Sequence, residues 1–113
     1  MPIKTKWVLF RKEIIEALST TETGVYEIGR ARGNAVLYIG KSDKSVRSRL
    51  LSHKGKIAFA TCTHFRKRKT KPEDAAKAEA RLLSDFKKTH GRYPELNKNK
   101  PPEQDWLKKL IYG

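Results

Sequence analysis

The sequence predicts a small α+β domain: a three-stranded, mainly antiparallel sheet flanked by helices, with extra helices near its N- and C-terminal ends. Two observations support this fold class. Short runs rich in β-branched and aromatic residues are bounded by turn residues, and they alternate with segments whose apolar residues recur at helical spacing. The length of 113 residues fits one domain, which we assign to residues 1–113. The predicted order is helix, strand, strand, helix, strand, helix and a short closing helix.

The N-terminal part of the chain predicts a helix followed by a β-hairpin. Apolar residues at helical spacing predict the helix over residues 6–18, although Trp7-Val8-Leu9-Phe10 by itself is also compatible with an extended segment. Residues 25–28 and 35–39 are typical of two strands, and a glycine-containing turn separates them. With that turn centred midway between the strands, Tyr26 lies opposite Tyr38, and both phenol rings share one face of the sheet.

A second helix and a third strand are predicted after the hairpin. Ser and Asp side chains in residues 42–45 can cap a helix that reaches about Lys54, and Gly55 is a natural end for it. Residues 57–65 are rich in β-branched and aromatic types, which predicts the third strand. We expect the basic run 66–69 to follow that strand as a loop.

The next predicted helix places a carboxylate among apolar residues. Pro72 opens this helix, which runs to about Lys88, and His90-Gly91 marks its end. Glu79 falls in the middle of its apolar stripe. A carboxylate there must be paired, protonated or bound to a cation. A salt bridge or a solvent-open stripe edge is one interpretation; the other is a ligand of Mg²⁺, for which one or two carboxylates plus substrate phosphates suffice. Residues 105–112 predict the short closing helix.

The charge of the chain indicates a polyanionic partner. Lys and Arg number 26 and Asp and Glu 12, a formal net charge of +14, which argues against an ordinary neutral enzyme surface. The single cysteine, Cys62, excludes an internal disulfide framework and a multi-cysteine zinc site. A cytoplasmic location is the default expectation, with a nucleoid-associated or nuclear one left open. No apolar run approaches the ~20 residues needed to span a bilayer, and we expect no membrane partner.

Four further side chains could carry chemistry. Arg49 and His53 are four residues apart, so they lie on one face of their predicted helix. By themselves they are equally compatible with a solvated basic helix face. Tyr26 and Tyr38 by themselves are compatible with ordinary half-buried strand aromatics.

Together these residues form an ordered pattern. A Gly-Val-Tyr tripeptide at 24–26 is followed, after eleven intervening residues, by Tyr-Ile-Gly at 38–40. This pair of tripeptides resembles the signature of the GIY-YIG nuclease family. Valine stands where the family usually has isoleucine, which is a conservative change within a strand.

The resemblance continues along the chain in the family's order. Arg49 and His53 match the family's helix arginine and the histidine or tyrosine four residues after it. Glu79 matches the helix glutamate that binds the metal. Asn97 matches the asparagine of a later proline-containing segment, with Asn99 as the alternative. The matched region, residues 24–97, covers about two thirds of the chain.

The resemblance implies a metal-dependent DNA endonuclease that hydrolyses phosphodiester bonds. Glu79 would hold one Mg²⁺ or Mn²⁺ ion. Tyr26 would orient or deprotonate the attacking water, and Tyr38 would position the water or the phosphate beside it. The family's products carry a 5′-phosphate and a 3′-hydroxyl.

The remaining site residues would manage charge and protons. A tyrosine pKa of ~10 is too high for a base at neutral pH. The cations Lys41 or Arg49 would therefore have to lower the pKa of Tyr26. Arg49 would also neutralise charge that develops on the phosphate, and His53 would shuttle protons.

Lysines and arginines outside this set are expected to contact the nucleic-acid backbone, although a solvated, solubilising surface is the alternative. Such contacts position the substrate and carry little sequence information. The residues are Arg66, Lys67, Arg68, Lys69, Lys71, Lys98 and Lys100.

The expected partner is duplex or branched DNA, with RNA left open. Specificity would come from DNA structure, from a homodimer or from a protein partner. A non-catalytic nucleic-acid-binding module on the same fold is the alternative function. A basic RNA-associated protein is a third, although the exposed aromatic pattern of such proteins is missing.

Overall fold

Helices cover both faces of a four-stranded antiparallel sheet in the computed structural model, which describes residues 3–97. The strands follow the spatial order β1-β4-β2-β3, and every neighbouring pair is antiparallel. The α+β class is therefore confirmed. The strands are β1 (Val8–Leu9), β2 (Gly24–Arg30), β3 (Ala35–Ser42) and β4 (His64–Lys69). The α-helices are α1 (Lys12–Glu16), α2 (Val46–Lys54) and α3 (Ala75–His90).

The first helix is much shorter than predicted, and its predicted first half is a strand. Val8 and Leu9 pair with Phe65 and His64, so β1 adds a fourth strand at the edge of β4. The apolar run that begins this segment is compatible with both helical and extended spacing. The backbone N–H and C=O groups along the edge of β4 need hydrogen-bond partners, which favours the extended form. The predictions of a helix over 6–18 and of three strands are therefore wrong.

The strand after α2 lies later in the chain than predicted. Ile57–Phe59 forms a 3₁₀ turn, and β4 begins only at His64. The strand then continues through the basic run 66–69, which pairs along its whole length with β2 and is not a loop. Lysine and arginine have low strand propensity, but two of these side chains form ion pairs with nearby glutamates.

The hairpin register also differs from the prediction. Tyr26 lies opposite Gly40, and Ile28 lies opposite Tyr38. A β-bulge after Ile28, which leaves Leu37 without a partner in the ladder, accounts for one residue of the shift, and a turn centred between Arg32 and Gly33 accounts for the other. The predicted pairing of Tyr26 with Tyr38 is wrong by two residues. A shift of two preserves the face, so both phenol rings still lie on the same side of the sheet.

The two later helices are confirmed, including the residues that end them. Ser45 caps α2 through its side chain, which accepts a hydrogen bond from Ser48 N, and Gly55 ends the helix. A 3₁₀ turn from Pro72 leads into α3, which ends at the left-handed Gly91. The predicted closing helix over 105–112 lies outside the described residues. None of the helices within residues 3–97 is long and apolar enough to cross a membrane.

Two apolar clusters hold the helices to the sheet. On one face, α1 and α2 pack over Tyr26, Ile28 and Phe65. On the other face, α3 packs its Leu82 and Leu83 over the alternate residues of β2 and β3. Tyr26 therefore lies beneath α2, and Glu79 belongs to the helix on the opposite face.

Candidate active site

The two motif glycines are required by the packing of the hairpin. An added Cβ at Gly40 would lie 2.6 Å from the Tyr26 hydroxyl. The phenol ring of Tyr26 therefore occupies the space that a side chain at residue 40 would need. Gly24 has φ +152°, and a Cβ there would collide with the carbonyl of Arg68 on β4. The motifs at 24–26 and 38–40 therefore encode the close approach of Tyr26 to β3.

Replacing Gly40 by alanine is expected to lower the free energy of unfolding by about 1–3 kcal/mol, because the new methyl group overlaps the buried Tyr26 ring. Gly55→Ala is the matched control, since its Cβ would meet nothing closer than 3.8 Å. Urea denaturation of both variants checks the difference. Equal stability of Gly40→Ala and Gly55→Ala would contradict this packing.

A buried hydrogen bond joins Tyr26 to α2. Tyr26 Oη and His53 Nε2 are 2.8 Å apart, and Tyr26 is 0 % exposed. The His53 ring also packs against Tyr38 and Phe59, with centroid distances of 4.8 and 4.6 Å. His53 Nδ1 is buried and has no hydrogen-bond partner among the described residues. The pair is therefore a polar contact enclosed by aromatic rings.

Burial determines the protonation of this pair. Desolvation, assisted by the charges of Lys56 and Arg49, lowers the pKa of His53 to about 4, so the imidazole is neutral at pH 7. Desolvation also raises the pKa of Tyr26 above its ordinary value, and the charge of Tyr38 adds to this rise. Arg49 acts in the opposite direction, by its charge and by a hydrogen bond. Arg49 thus acts on the pKa of Tyr26 in the predicted direction, but burial outweighs it, so the expected net lowering of this pKa is wrong.

Tyr38 is the more accessible of the two phenols. It is half-buried, and its pKa is raised by desolvation and by the charge of Glu79, while Arg49 opposes the rise. The same two charges act on Tyr26. Arg49 from α2 and Glu79 from α3 therefore converge on the tyrosines of the hairpin, as the sequence pattern predicts.

Glu79 has the chemistry of a hard-cation ligand. Its side chain is 8 % exposed and lies close enough to both phenols to influence their pKa values. Within residues 3–97 there is no group of three or more His, Cys, Asp or Glu side chains able to hold a metal ion. Mg²⁺ commonly binds through one or two carboxylates, several waters and substrate phosphates, so a single Glu79 fits this cation.

Asn97 is placed on the backbone beside the site. Its Oδ1 accepts a hydrogen bond from Ile39 N at 2.8 Å, and its Nδ2 donates to Ile39 O at 2.9 Å. Both polar atoms of the Asn97 side chain are thereby hydrogen-bonded to the outer edge of β3, at the residue between Tyr38 and Gly40. The geometry gives Asn97 a positioning role for that strand, and the alternative residue Asn99 lies outside the described residues.

Lys41 lines a polar cleft next to the cluster. The cleft has a volume of about 470 Å³ and also contains Arg49 and the start of α2. Ser42 shapes it, because its Oγ accepts hydrogen bonds from the backbone amides of Lys44 and Ser45. This role of Ser42 was not predicted from the sequence. A serine three residues before the N-cap residue of a helix is the local sequence feature that indicates such a turn.

Phe59 is a second neighbour that the sequence prediction missed. Its ring packs edge-on against Tyr38 at 5.2 Å and also contacts His53. The sequence predicts a strand at this residue, and only its position in a 3₁₀ turn brings the ring over the site. Phe59 excludes water from one side of the imidazole.

The basic run is divided by its strand geometry. Arg66 Nε donates to Glu27 Oε1 at 2.6 Å, and Lys67 Nζ donates to Glu22 Oε2 at 2.6 Å. The next two residues, 68 and 69, are exposed, as is residue 71. Two of the four basic residues predicted to bind the nucleic-acid backbone, Arg66 and Lys67, therefore form ion pairs within the protein. The predicted contacts at 98 and 100 lie outside the described residues.

The structure thus brings together five of the predicted site residues: Tyr26, Tyr38, Arg49, His53 and Glu79. They come from both strands of the hairpin and from helices on both faces of the sheet. Comparison of the chain with protein-family models, with curated proteins and with solved structures finds no match.

Proposed function

We propose that this protein is a divalent-metal-dependent endonuclease that hydrolyses phosphodiester bonds in DNA. The observation that carries the proposal is the convergence of a buried carboxylate, an arginine and two tyrosines at one place on a chain of net charge +14. Phosphodiester hydrolysis needs an oriented water and compensation of charge on the phosphoryl oxygens. The cluster contains a group for each task.

Tyr38 is the phenol that meets the attacking water in this proposal. It is half-buried, whereas Tyr26 is completely enclosed. A group that orients or deprotonates water must lie within hydrogen-bond reach of it. Tyr38, which keeps part of its surface exposed, can meet this requirement, whereas Tyr26 packs against Gly40 and is hydrogen-bonded to His53 beneath the surface.

Arg49 and His53 control charge and hydrogen bonding around the phenols. The Arg49 guanidinium is directed to the tyrosines and to the polar cleft, where its planar fork suits a phosphate. In the tautomer with hydrogen on Nδ1, Nε2 of neutral His53 accepts a hydrogen bond from the Tyr26 hydroxyl. This bond fixes the orientation of the Tyr26 ring.

Glu79 would hold the divalent cation, which when bound supplies charge compensation for the phosphate and the leaving oxygen. Lys41 lies in the adjoining cleft and supports the same requirement by binding a neighbouring phosphate. The polar start of α2 in that cleft further favours an anion.

The exposed part of β4 is suited to hold the DNA backbone. Arg68 lies opposite Val25, which itself pairs with Lys41, so these cations occupy one row across the sheet beside the motif. Lys69 lies opposite Gly24 on the next row. Because successive strand residues point to opposite faces, Arg68 and Lys69 place one cation on each side of β4.

Replacing both Arg68 and Lys69 by alanine is expected to weaken binding to all DNA sequences alike. The slope of log affinity against log salt should fall by about one unit for each phosphate that the protein no longer neutralises. Arg11→Ala with Lys12→Ala removes the same charge next to β1, which pairs with the other end of β4, and it should leave the slope closer to wild type. Weakening confined to one class of sequence would contradict backbone binding and make these residues base readers.

Cleavage assays on three substrates test the proposed function. A supercoiled plasmid, a branched duplex and a single-stranded RNA are incubated with the protein in Mg²⁺ and, in parallel, with a chelator. Metal-dependent cutting of DNA is expected, and the preferred substrate identifies the DNA structure recognised. Salt-sensitive binding without cutting of any substrate would contradict the nuclease and support the binding-module alternative.

A further inference from the structure

A second cavity lies on the α3 face of the sheet, away from the candidate active site. It has a volume of about 740 Å³ and is bounded by the C-terminal half of α3 and the β2–β3 turn. None of the five clustered active-site residues lines it. Phe86 in its wall is seven residues beyond Glu79, about 10 Å along the helix axis. Pockets for small ligands have volumes of about 300–1,000 Å³.

The inner wall of this cavity contains a buried arginine with an unused donor. Arg66 is 7 % exposed, its Nε is bonded to Glu27, and its guanidinium stacks on the Trp7 ring at 4.2 Å. Its Nη2 is buried and has no hydrogen-bond partner among the described residues. A buried donor on a charged group is costly to leave unpaired. Arg66 also lines the cavity, so an acceptor oxygen bound there could satisfy this donor after a small shift of the guanidinium.

The charges around the cavity favour an anion over a neutral ligand. Lys88 and Arg92 line it together with Arg66, and the acidic lining residues are Glu27 and Asp85. Three cations thus face two carboxylates, one of which, on Glu27, is already the partner of Arg66. The lining therefore carries one excess positive charge, which favours an anion.

The remaining wall suits a flat apolar group. Val36, Leu82 and Phe86 line the cavity, and the Phe86 ring stacks on His90 with a centroid distance of 4.1 Å. Aromatic walls of this kind bind planar rings by offset stacking. A nucleotide combines an anionic group with a flat ring and has a size that this cavity can hold.

We propose that this cavity binds one nucleoside monophosphate unit, with its phosphate at Arg66 and its base against Phe86 and His90. The unit is either a free nucleotide or the 5′-phosphorylated end of a DNA strand, which present the same chemistry. The site is separate from the catalytic cluster and does not depend on cleavage.

Isothermal titration of the full chain with 2′-deoxyadenosine 5′-monophosphate tests the site. At about 0.15 M ionic strength the Debye length is about 8 Å, so attraction by the overall charge is reduced. Saturable binding at one site is expected. Deoxyadenosine, which lacks the phosphate, and inorganic phosphate, which lacks the base, should each bind at least tenfold more weakly. No saturable binding, or equal binding of either fragment, would overturn the proposal.

Two variants and one control locate the binding. Arg66→Gln removes the donors, and Thr89→Trp fills the cavity from an exposed lining position on α3. Each should weaken the nucleotide about tenfold or more. Ala76→Trp introduces the same side chain at an exposed position of α3 outside the cavity and should bind as wild type does.

Thr89→Trp decides the test even where Arg66→Gln fails to fold, because its own unfolding curve shows whether the fold is kept. Wild-type affinity in folded Thr89→Trp, or equal weakening in Ala76→Trp, would overturn the proposal.

Competition distinguishes the two sources of the ligand. A single-stranded dodecamer with a 5′-phosphate is titrated against bound nucleotide, beside the same strand with a 5′-hydroxyl. Displacement by the phosphorylated strand alone assigns the cavity to a strand end. Displacement by neither strand assigns it to a free nucleotide. Equal displacement by both strands would overturn recognition of the terminal phosphate and with it the assigned role of Arg66.

Discussion

Replacing Glu79 by glutamine is expected to abolish Mg²⁺-dependent cleavage while DNA binding stays within a few-fold of wild type. The amide keeps the shape of the side chain but removes the negative charge that a hard cation requires. A bound metal contributes several kcal/mol to the stabilisation of transition-state charge, so cleavage should fall by about a thousandfold or more. Single-turnover cleavage and fluorescence anisotropy, measured on the same labelled duplex, separate the two effects.

Glu73→Gln is the matched control for this variant. Glu73 is exposed at the start of the same helical segment, so its replacement makes the same change of charge outside the cluster. Its cleavage rate should stay close to wild type. Cleavage by Glu79→Gln at a near wild-type rate would remove Glu79 from the metal site. Loss of DNA binding together with cleavage would instead indicate a structural or electrostatic role for the carboxylate.

Replacing Tyr38 by phenylalanine is expected to lower kcat by about 10²–10⁴, the range for a group that transfers or directs a proton. KM should change little, because the ring that packs on His53 and Phe59 is kept. Burial and Glu79 hold the pKa of Tyr38 above its ordinary value. The deprotonated fraction therefore rises about tenfold per pH unit below that pKa, and the wild-type rate should climb between pH 7 and 9 without a plateau.

Tyr26→Phe is the comparison that separates the two phenols. It removes the hydroxyl that pairs with His53 Nε2 and leaves a buried polar atom without that partner. Unfolding should therefore become easier by about 1–3 kcal/mol, with a smaller loss of kcat than in Tyr38→Phe. A larger loss of kcat in Tyr26→Phe, with Tyr38→Phe active, would return the water-activating role to Tyr26, as the sequence pattern alone predicts.

The helices that carry the site could be predicted because their signals are local. The cap residues before α2, Gly55 after it, Pro72 before α3 and Gly91 after it each act within one helical turn. The apolar stripe of α3 likewise placed Glu79 on its buried face. Helical periodicity thus located the residues that α2 and α3 contribute.

The strands were less predictable because their positions depend on pairing. The extra residue at the β-bulge, together with a turn centred half a residue beyond Arg32, shifted the partner of Tyr26 from Tyr38 to Gly40, and the bulge has no local sequence signal beyond Gly29. Val8 and Leu9 form a strand inside the predicted helix, and residues 57–63 precede the strand they were predicted to form, because hydrogen bonds to neighbouring strands, rather than intrinsic propensity, determine where β1 and β4 lie.

Properties that depend on burial also could not be predicted from the sequence. The complete enclosure of Tyr26, and the resulting rise in its pKa, follow from packing by Gly40, His53 and the rings around them. Asn97 could be matched by order along the chain, but its attachment to the backbone of Ile39 is a tertiary contact between residues 58 positions apart.

The most direct test of the proposed nuclease is metal-dependent nicking of a supercoiled plasmid, with the wild type beside Glu79→Gln and a chelator lane. We expect relaxed and linear products only for the wild type with Mg²⁺, and recovery of cutting when Mg²⁺ is restored after chelation. Equal cutting in all lanes would indicate a metal-independent activity or a contaminant. Absence of cutting in every lane, with salt-sensitive DNA binding intact, would contradict catalysis at this cluster.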